Sequence, residues 1–509
     1  MKYNLYHSPW LSLWLGLTRS LRPMGVLTCI SAIFCGLLSA TGNFVLIGAT
    51  LVAIAAPFLL VRTELVLTLV LAAGLGGGAI LSILGPSFTV TSWLISLLSF
   101  ALLPLPLIRL YQKPVTSGFI WMILVFFMYS MICSLLQWQT FNQFMAGSKR
   151  YYQGYGVLFA LGLLSFAPSQ FTRWKKYLIA IAFFQLPFAI WEFVVLVPLR
   201  GGLDAGGEAT DVVAGTFGAN LTGGSANAEM SAFLLIMFIF QLSRWRARLI
   251  SRNVALVICT LCLSPLALGE TKIVIILLPM MVLTLLRKGF MANPLRHSAS
   301  IVTCAVLTIV LGYIYITIMD RNTVSESIDL MTQYNIGNVG YGGNILNRMT
   351  VLTFWWDHHS IADPATLLFG HGLGSSFWGD NSPIPGHIAV LYPNYGIGLT
   401  AASTLLWDLG IVGLVLHLAI FIGAWTAANR LWRNTSDKSL QSDALAIQAA
   451  ITCFVVFIFY RDSGVNLLAY EIVIGCILGY LAHLCRISEI IEQAESIPAH
   501  HKTNRTGAS

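Results

Sequence analysis

The chain has 509 residues, of which 57% are hydrophobic and only 10% charged, with a formal net charge of +8 and a mean hydropathy of +0.77. Soluble proteins carry roughly 45–50% apolar and about 25% charged residues, so a cytosolic enzyme, a nucleic-acid-binding protein and a secreted disulfide scaffold are excluded as main readings. Apolar runs near or above the ~18 residues needed to cross a bilayer recur from Gly25 onward, which predicts an all-α, polytopic integral membrane protein.

In chain order the runs predict spans near 24–41, 44–61, 65–85, 91–110, 118–137, 151–168, 177–198, 227–243, 253–269, 272–286, 299–319, 397–428, 445–461 and 464–485. That is about 12–14 transmembrane helices, the span at 397–428 being long enough to include a lead-in turn. With the N-terminus in the cytoplasm, 22 of the 29 Lys and Arg fall on one side, as the positive-inside rule requires. The opposite face keeps only Lys149, Arg150, Arg200, Lys272, Arg321, Arg348 and Arg461. The surplus positive charge is therefore an orientation signal, with both termini cytoplasmic. The first apolar stretch is followed by many others and reads as an anchor, not a cleaved signal.

The nine cysteines all lie in or beside apolar spans, which argues against an external disulfide framework. Cys259-x-x-Cys262 has metal or redox spacing, but it sits in an apolar helix with no second pair and reads as two buried thiols.

Two connections are long, and both fall on the external side. Residues 200–226 are glycine-rich and carry Asp204, Glu208 and Asp211. Residues 320–396 hold four of the ten His, with Trp355, Trp356, Phe377 and Trp378 arguing for a folded surface. Loops of this length are usually functional or disordered. The organisation expected is a helical region over 1–319, a folded periplasmic loop over 320–396, C-terminal helices over 397–485 and a cytoplasmic tail over 486–509.

Charged groups at bilayer depth are expensive and are candidates for function. Glu270 and Lys272 share one external turn, Arg461 and Asp462 another, and Glu192 and Glu229 lie near external helix ends. Local neutralisation within each turn is the bland alternative. In the large loop, Ile345, Met349, Leu352 and Trp356 recur at helical spacing, so Arg348 opens an interfacial helix and faces an anionic headgroup or a pyrophosphate. A planar guanidinium grips such groups bidentately; a surface arginine snorkelling beside the helix is the alternative. His371 and His387 are general-base candidates, because imidazole titrates near physiological pH. Asp357, His358 and His359 are adjacent on a helix and cannot chelate one metal together. The glycine turns Gly215–Gly218 and Gly370–Ser376 can present N–H groups to a phosphate, although neither is a Walker loop or a dinucleotide fingerprint.

Arg348, the aromatics Phe354-Trp355-Trp356, the turn Phe369–Phe377 and the helix Asp408-Leu409-Gly410-Ile411-Val412-Gly413-Leu414 follow one another in an order that resembles the O-antigen ligase/polymerase-like superfamily of bacterial envelope polysaccharide enzymes. The resemblance covers roughly residues 200–430. Ligase-type members carry a His about nine residues before the acid of that last helix, where this chain has Leu399 and Thr400. The resemblance implies a GT-C-like fold in the bacterial inner membrane and transfer of a polyprenyl-diphosphate-linked oligosaccharide to a hydroxyl on the periplasmic side, by a polymerase or else a ligase. A lipid-linked-oligosaccharide flippase or transporter and a monosaccharide transferase are the other classes. On this reading His371, His387 and Glu270 are catalytic, Arg348, Lys272 and Arg461 hold the diphosphate, and Trp355, Trp356 and Trp378 hold the glycan. No cofactor and no metal is expected; membrane lipid and a chain-length regulator are the expected partners.

Overall fold

The computed structural model describes residues 62–84, 90–112, 117–202, 209–221, 223–269, 271–292, 324–337, 339–341, 343–378 and 384–496, with a few isolated positions besides. The spans expected near 24–41, 44–61 and 299–319 lie outside the described residues, as do Glu270 and the end of the tail.

Among the described residues there are helices and turns and no strand. The helices run α1 (Thr63–Leu84), α2 (Val90–Ala101), α3 (Pro104–Gln112), α4 (Gly118–Leu136), α5 (Phe141–Tyr152), α6 (Tyr155–Leu163), α7 (Pro168–Leu199), α8 (Asn227–Arg246), α9 (Arg252–Leu263) and α10 (Val274–Ala292). Over the large loop come α11 (Val324–Asn335), α12 (Thr350–His358), α13 (Pro364–Phe369) and α14 (His387–Leu391). Three long helices close the chain, α15 (Ala401–Asn434), α16 (Lys438–Tyr460) and α17 (Leu468–Ser496). Eight helical segments among the described residues are long and apolar enough to cross a membrane. The chain is thus an all-helical, multi-pass membrane protein.

Two expected spans differ in the structure. The run at 151–168 is broken at Gln153 and Gly154, leaving α6 with nine residues, about 14 Å and half a bilayer. Its residues are buried on every side, so it packs inside protein. The run at 253–269 gives the twelve-residue α9 and a tight 3-10 turn, Ser264–Ala267.

Close packing in the bundle rests on small residues, as expected where the surrounding lipid is as apolar as the helix surface. A Cβ on Gly475 would stand 2.6 Å from the Gly154 carbonyl, and one on Gly479 would stand 2.7 Å from the Leu158 carbonyl. Those two glycines, one helical turn apart, let α17 lie directly on α6. At the arginine-rich end the bundle is tied by a single carboxylate. Asp443 accepts two hydrogen bonds from Arg244, at 3.0 Å each, and also bonds Lys175 at 3.3 Å and the Tyr480 hydroxyl at 2.5 Å. Four helices meet there, so Lys175 and Arg244 join helices as well.

At the other end, here the loop face, α12, α13 and α14 fold over an apolar cluster shared with the start of α15. Trp355, Trp407, Val351, Leu367 and Ile388 are its buried members. α15 begins at a capping box in which Thr400 and Ser403 cap each other. Its backbone leaves helical geometry at Gly410, at φ 68° and ψ −170°, a conformation glycine adopts without steric cost. Thr400 is thus spent as a helix cap.

Candidate functional site

The two glycine turns singled out for phosphate are both already filled. In the shorter one, Glu192 accepts from the N–H groups of Ala214 (2.8 Å) and Gly215 (2.6 Å), and Gln185 accepts from Thr216 N–H at 2.9 Å. The Thr216 hydroxyl then donates to the Leu75 carbonyl of α1 at 2.6 Å. The turn is a plug between α1 and α7, and the Glu192 carboxyl is its internal acceptor. In the longer turn the acceptor is Asp408. Its Oδ2 accepts from Gly374 N–H at 2.8 Å and from the Tyr151 hydroxyl at 2.9 Å; its Oδ1 accepts from Ser376 N–H and the Ser375 hydroxyl, at 2.8 Å each. Leu373 N–H is taken by the Ser134 hydroxyl at 3.1 Å. Neither turn offers these amides to a phosphate. The expectation fails because a buried carboxylate from a distant helix competes for the same donors.

Arg348 and Arg461 come together around one residue, Tyr460. The Arg348 Nε donates to the Tyr460 carbonyl at 2.9 Å, its Nη1 donates to Asn335 Oδ1 at 3.0 Å, and its guanidinium lies 4.3 Å from the Tyr460 ring and 4.0 Å from the Tyr341 ring. Arg461, the next residue, is spent on the protein. It pairs with the buried Glu229 carboxylate at 3.4 Å and donates to the carbonyls of Ser225 (2.9 Å) and Gly224 (3.0 Å). Glu229 also accepts from the Ser463 hydroxyl. Burial works against the Arg461 charge, but Glu229 and Asp462 outweigh it and hold its pKa above the ordinary value. Arg461 therefore clamps the glycine-rich loop, and Arg348 is the better ligand for an outside anion.

Lys272 adjoins Thr271, whose hydroxyl bonds that of Ser231 at 2.9 Å, on the same helix as Glu229. It belongs to this layer and is half-buried.

A fourth cation was not among the expected site residues. Arg150 lies in the last turn of α5, its guanidinium 3.1 Å from the centre of the Phe377 ring. Burial pushes it down to about 10, while Asp408 and Asp462 pull the other way. Its neighbour Lys149 reaches the Ser92 hydroxyl at 3.4 Å, and burial pushes its amine down to about 8, partly offset by Glu471. The usable signal was present in the sequence, since both are among the seven cations on the minority face.

Three histidines gather beside Trp407. His359 Nδ1 bonds the Trp355 carbonyl at 2.8 Å, and its Nε2 stands 3.3 Å from His371 Nε2. The rings of His371 and His387 are 6.4 Å apart, and His387 Nδ1 bonds the Gln143 side chain at 2.9 Å. Burial pushes His371 down to about 4, helped by its two histidine neighbours, and also lowers His387 and His359. All three are neutral at physiological pH. They lie past the far end of α12 from Arg348, about 14 Å along that nine-residue helix. Arg150 is the cation packed against their turn.

The glycan-binding aromatics divide. Trp356 and Trp378 are 56% and 48% exposed, whereas Trp355 is 3% exposed and stacks on His359 at 4.6 Å. Trp355 is therefore a core residue, contrary to its expected role as a sugar platform. Ile345, Met349 and Trp356 do form an exposed apolar stripe along this part of the loop. Among the described residues no three His, Cys, Asp or Glu side chains are grouped to hold a metal ion.

No family model matches the chain, and no curated protein matches it.

Proposed function

We propose that the chain is a polysaccharide polymerase of the O-antigen or exopolysaccharide type. It transfers a polyprenyl-diphosphate-linked oligosaccharide to a sugar hydroxyl, without a metal, on the loop face. In this reading the loop face is periplasmic, the membrane is the bacterial inner membrane and the helical body is GT-C-like. The observation that carries it is one turn, Tyr460–Asp462, with Arg348 on one side and Arg150 within electrostatic reach of Asp462 on the other. Neutral imidazoles stand in the assembly against which Arg150 packs.

The chemistry then runs as a single displacement. The acceptor hydroxyl oxygen forms a bond to the anomeric carbon, and the bond from that carbon to the diphosphate oxygen breaks. The electron pair leaves with the polyprenyl diphosphate, whose growing charge Arg348 and Arg150 stabilise. The hydroxyl proton passes to a neutral imidazole, His387 or His371. Exposed Trp356 and Trp378 offer faces for the sugar rings.

One observation favours a second reading. The break between α5 and α6 lies beside the buried Glu471, which Gln153 bonds at 2.7 Å, and broken helices with charges are also a device of transporters. Purified protein in vesicles, given a synthetic polyprenyl-diphosphate oligosaccharide, separates the two. A polymerase lengthens the glycan and releases polyprenyl diphosphate. A transporter moves the unit across the membrane and makes no new glycosidic bond, an outcome that would end the polymerase reading.

A further inference from the structure

A cavity of about 1040 Å³ opens at the end of the bundle away from the loop face. Its position follows from the helices that line it. Arg62 precedes α1, Arg109 lies in the last turn of α3 and Arg173 lies near the start of α7. The other end of α1 packs against Phe217 through Gly78, sixteen residues and about 24 Å from Arg62. The cavity is therefore a whole bilayer leaflet away from the Arg348 cluster.

Among the described residues, three arginines and one carboxylate line it. Arg109 Nη2 donates to the Ser165 hydroxyl at 2.6 Å, and the single acid, Glu64, is engaged by Gln170. A fourth arginine, Arg486, caps the Leu163 and Leu164 carbonyls at 2.5 and 2.8 Å and stands close enough to Arg109 for the two to repel. Guanidinium groups lining one cavity can share one anion between them. The outer wall is different in character. Leu65 and Ile108 line the same cavity and are 53% and 56% exposed.

A soluble anion needs the arginines and gains nothing from that wall. A phospholipid uses both, its phosphate taking charge-assisted hydrogen bonds from the guanidinium groups and its acyl chains lying along Leu65 and Ile108. Basic pockets between transmembrane helices on the arginine-rich side suit phosphate headgroups. We propose that this cavity binds the headgroup of an anionic phospholipid from the leaflet on the arginine-rich face. The site is independent of the glycan-transfer reading, and its test needs no activity assay.

The full chain, purified in neutral detergent, is titrated with cardiolipin, with phosphatidylcholine and with inorganic phosphate, and retained lipid is read by native mass spectrometry. Saturable retention of cardiolipin over phosphatidylcholine is expected. The double variant Arg62→Gln/Arg173→Gln, at two exposed positions, weakens that retention about tenfold or more, the loss of at least one charge-assisted contact. The variant Arg248→Gln/Arg252→Gln removes the same charge elsewhere on this face and retains the lipid as before. Leu65→Asn, on the apolar wall, also weakens retention. Equal losses in the two double variants would reduce the effect to general surface charge and overturn the site. Displacement of cardiolipin by millimolar inorganic phosphate, with Leu65→Asn silent, would make it a soluble-anion site and overturn the lipid assignment. Unchanged helicity by circular dichroism in each variant keeps misfolding from imitating either result.

Discussion

The Gly374 amide donates to the Asp408 carboxylate at 2.8 Å, across 34 residues of sequence. That bond joins two of the stretches on which the family resemblance rests. The glycine-rich turn and the acid of the following helix are one structural unit, a cradle of N–H groups closed on the protein's own side-chain carboxyl. Asp408→Ala strips the acceptor from two buried amides and two hydroxyls. At roughly 1–3 kcal/mol for each buried donor left unsatisfied, the turn over 370–378 should lose its fixed structure. Limited proteolysis in detergent should cut it there, with helix content in the bundle preserved. Asp408→Asn keeps one oxygen and should give a milder version. A protease-resistant Asp408→Ala loop would contradict the cradle.

Arg348 and Arg461 should fail in different ways. Arg348→Ala is expected to leave the protein inserted and to lower glycan transfer about a hundredfold or more, the usual scale for losing one preorganised charge donor, so that the lipid-linked unit accumulates. Arg461→Ala leaves the Glu229 carboxylate buried without its cation, which costs about 3–5 kcal/mol, and should show first as a lower melting temperature. Normal polymer from Arg348→Ala would remove that residue from the mechanism.

The pH profile follows from His371. Burial holds its pKa at about 4, so the neutral base form persists well below the ordinary imidazole range. If His371 takes the proton, the transfer rate should hold from pH 7 down to about 5 and fall only towards pH 4. Half-loss near pH 6.5 would point to a base with an ordinary pKa. The stability effect has a definite sign. The unfolded chain binds a proton at His371 between about pH 6.5 and 4 that the folded chain does not, so acidification through that window destabilises the fold.

Lys149 has the mirror-image signature at high pH. Its amine is held at about 8 against an ordinary value of 10.5. Below pH 8 both states carry the charge and burial is a standing cost. Between pH 8 and 10.5 the folded state releases the proton first, so stability should rise with pH. Lys149→Met should flatten that rise in a thermal unfolding series, whereas an unaltered slope would exclude Lys149 as its source.

The two neighbouring tryptophans allow a direct contrast. Trp355→Ala empties a buried position and should cost about 3–5 kcal/mol. Trp356→Ala removes an exposed ring, should leave the melting temperature nearly unchanged, and should weaken use of the glycan acceptor. Equal destabilisation by the two would show that Trp356 packs as well.

Composition alone established the class of molecule, because a bilayer imposes one demand on every crossing segment. Its backbone polar groups must be satisfied internally and its side chains must be apolar. Both demands act on contiguous residues, so the helices α1, α4, α7, α8, α15, α16 and α17 were legible as runs. The long lead-in at 397–428 was visible for the same reason, and the structure resolves it into the Thr400 cap followed by α15. Arg348 and Arg461 stood out in the sequence too, since cations on the expected external face are few.

What each of those groups touches was decided only by tertiary contacts. Trp355 and Trp356 are adjacent letters, yet one is core and the other surface, because α12 turns about 100° per residue against a cluster built from 346 to 407. The N–H groups of two glycine turns were free on paper and are bound to Glu192 and Asp408 in the fold. Arg150 gained its place beside Phe377, and His359 its place beside His371, through packing of elements far apart in the chain. Hydropathy is a sum over neighbours in sequence, whereas a site is a set of neighbours in space, and the pairing of buried charges that builds it is written in no single segment.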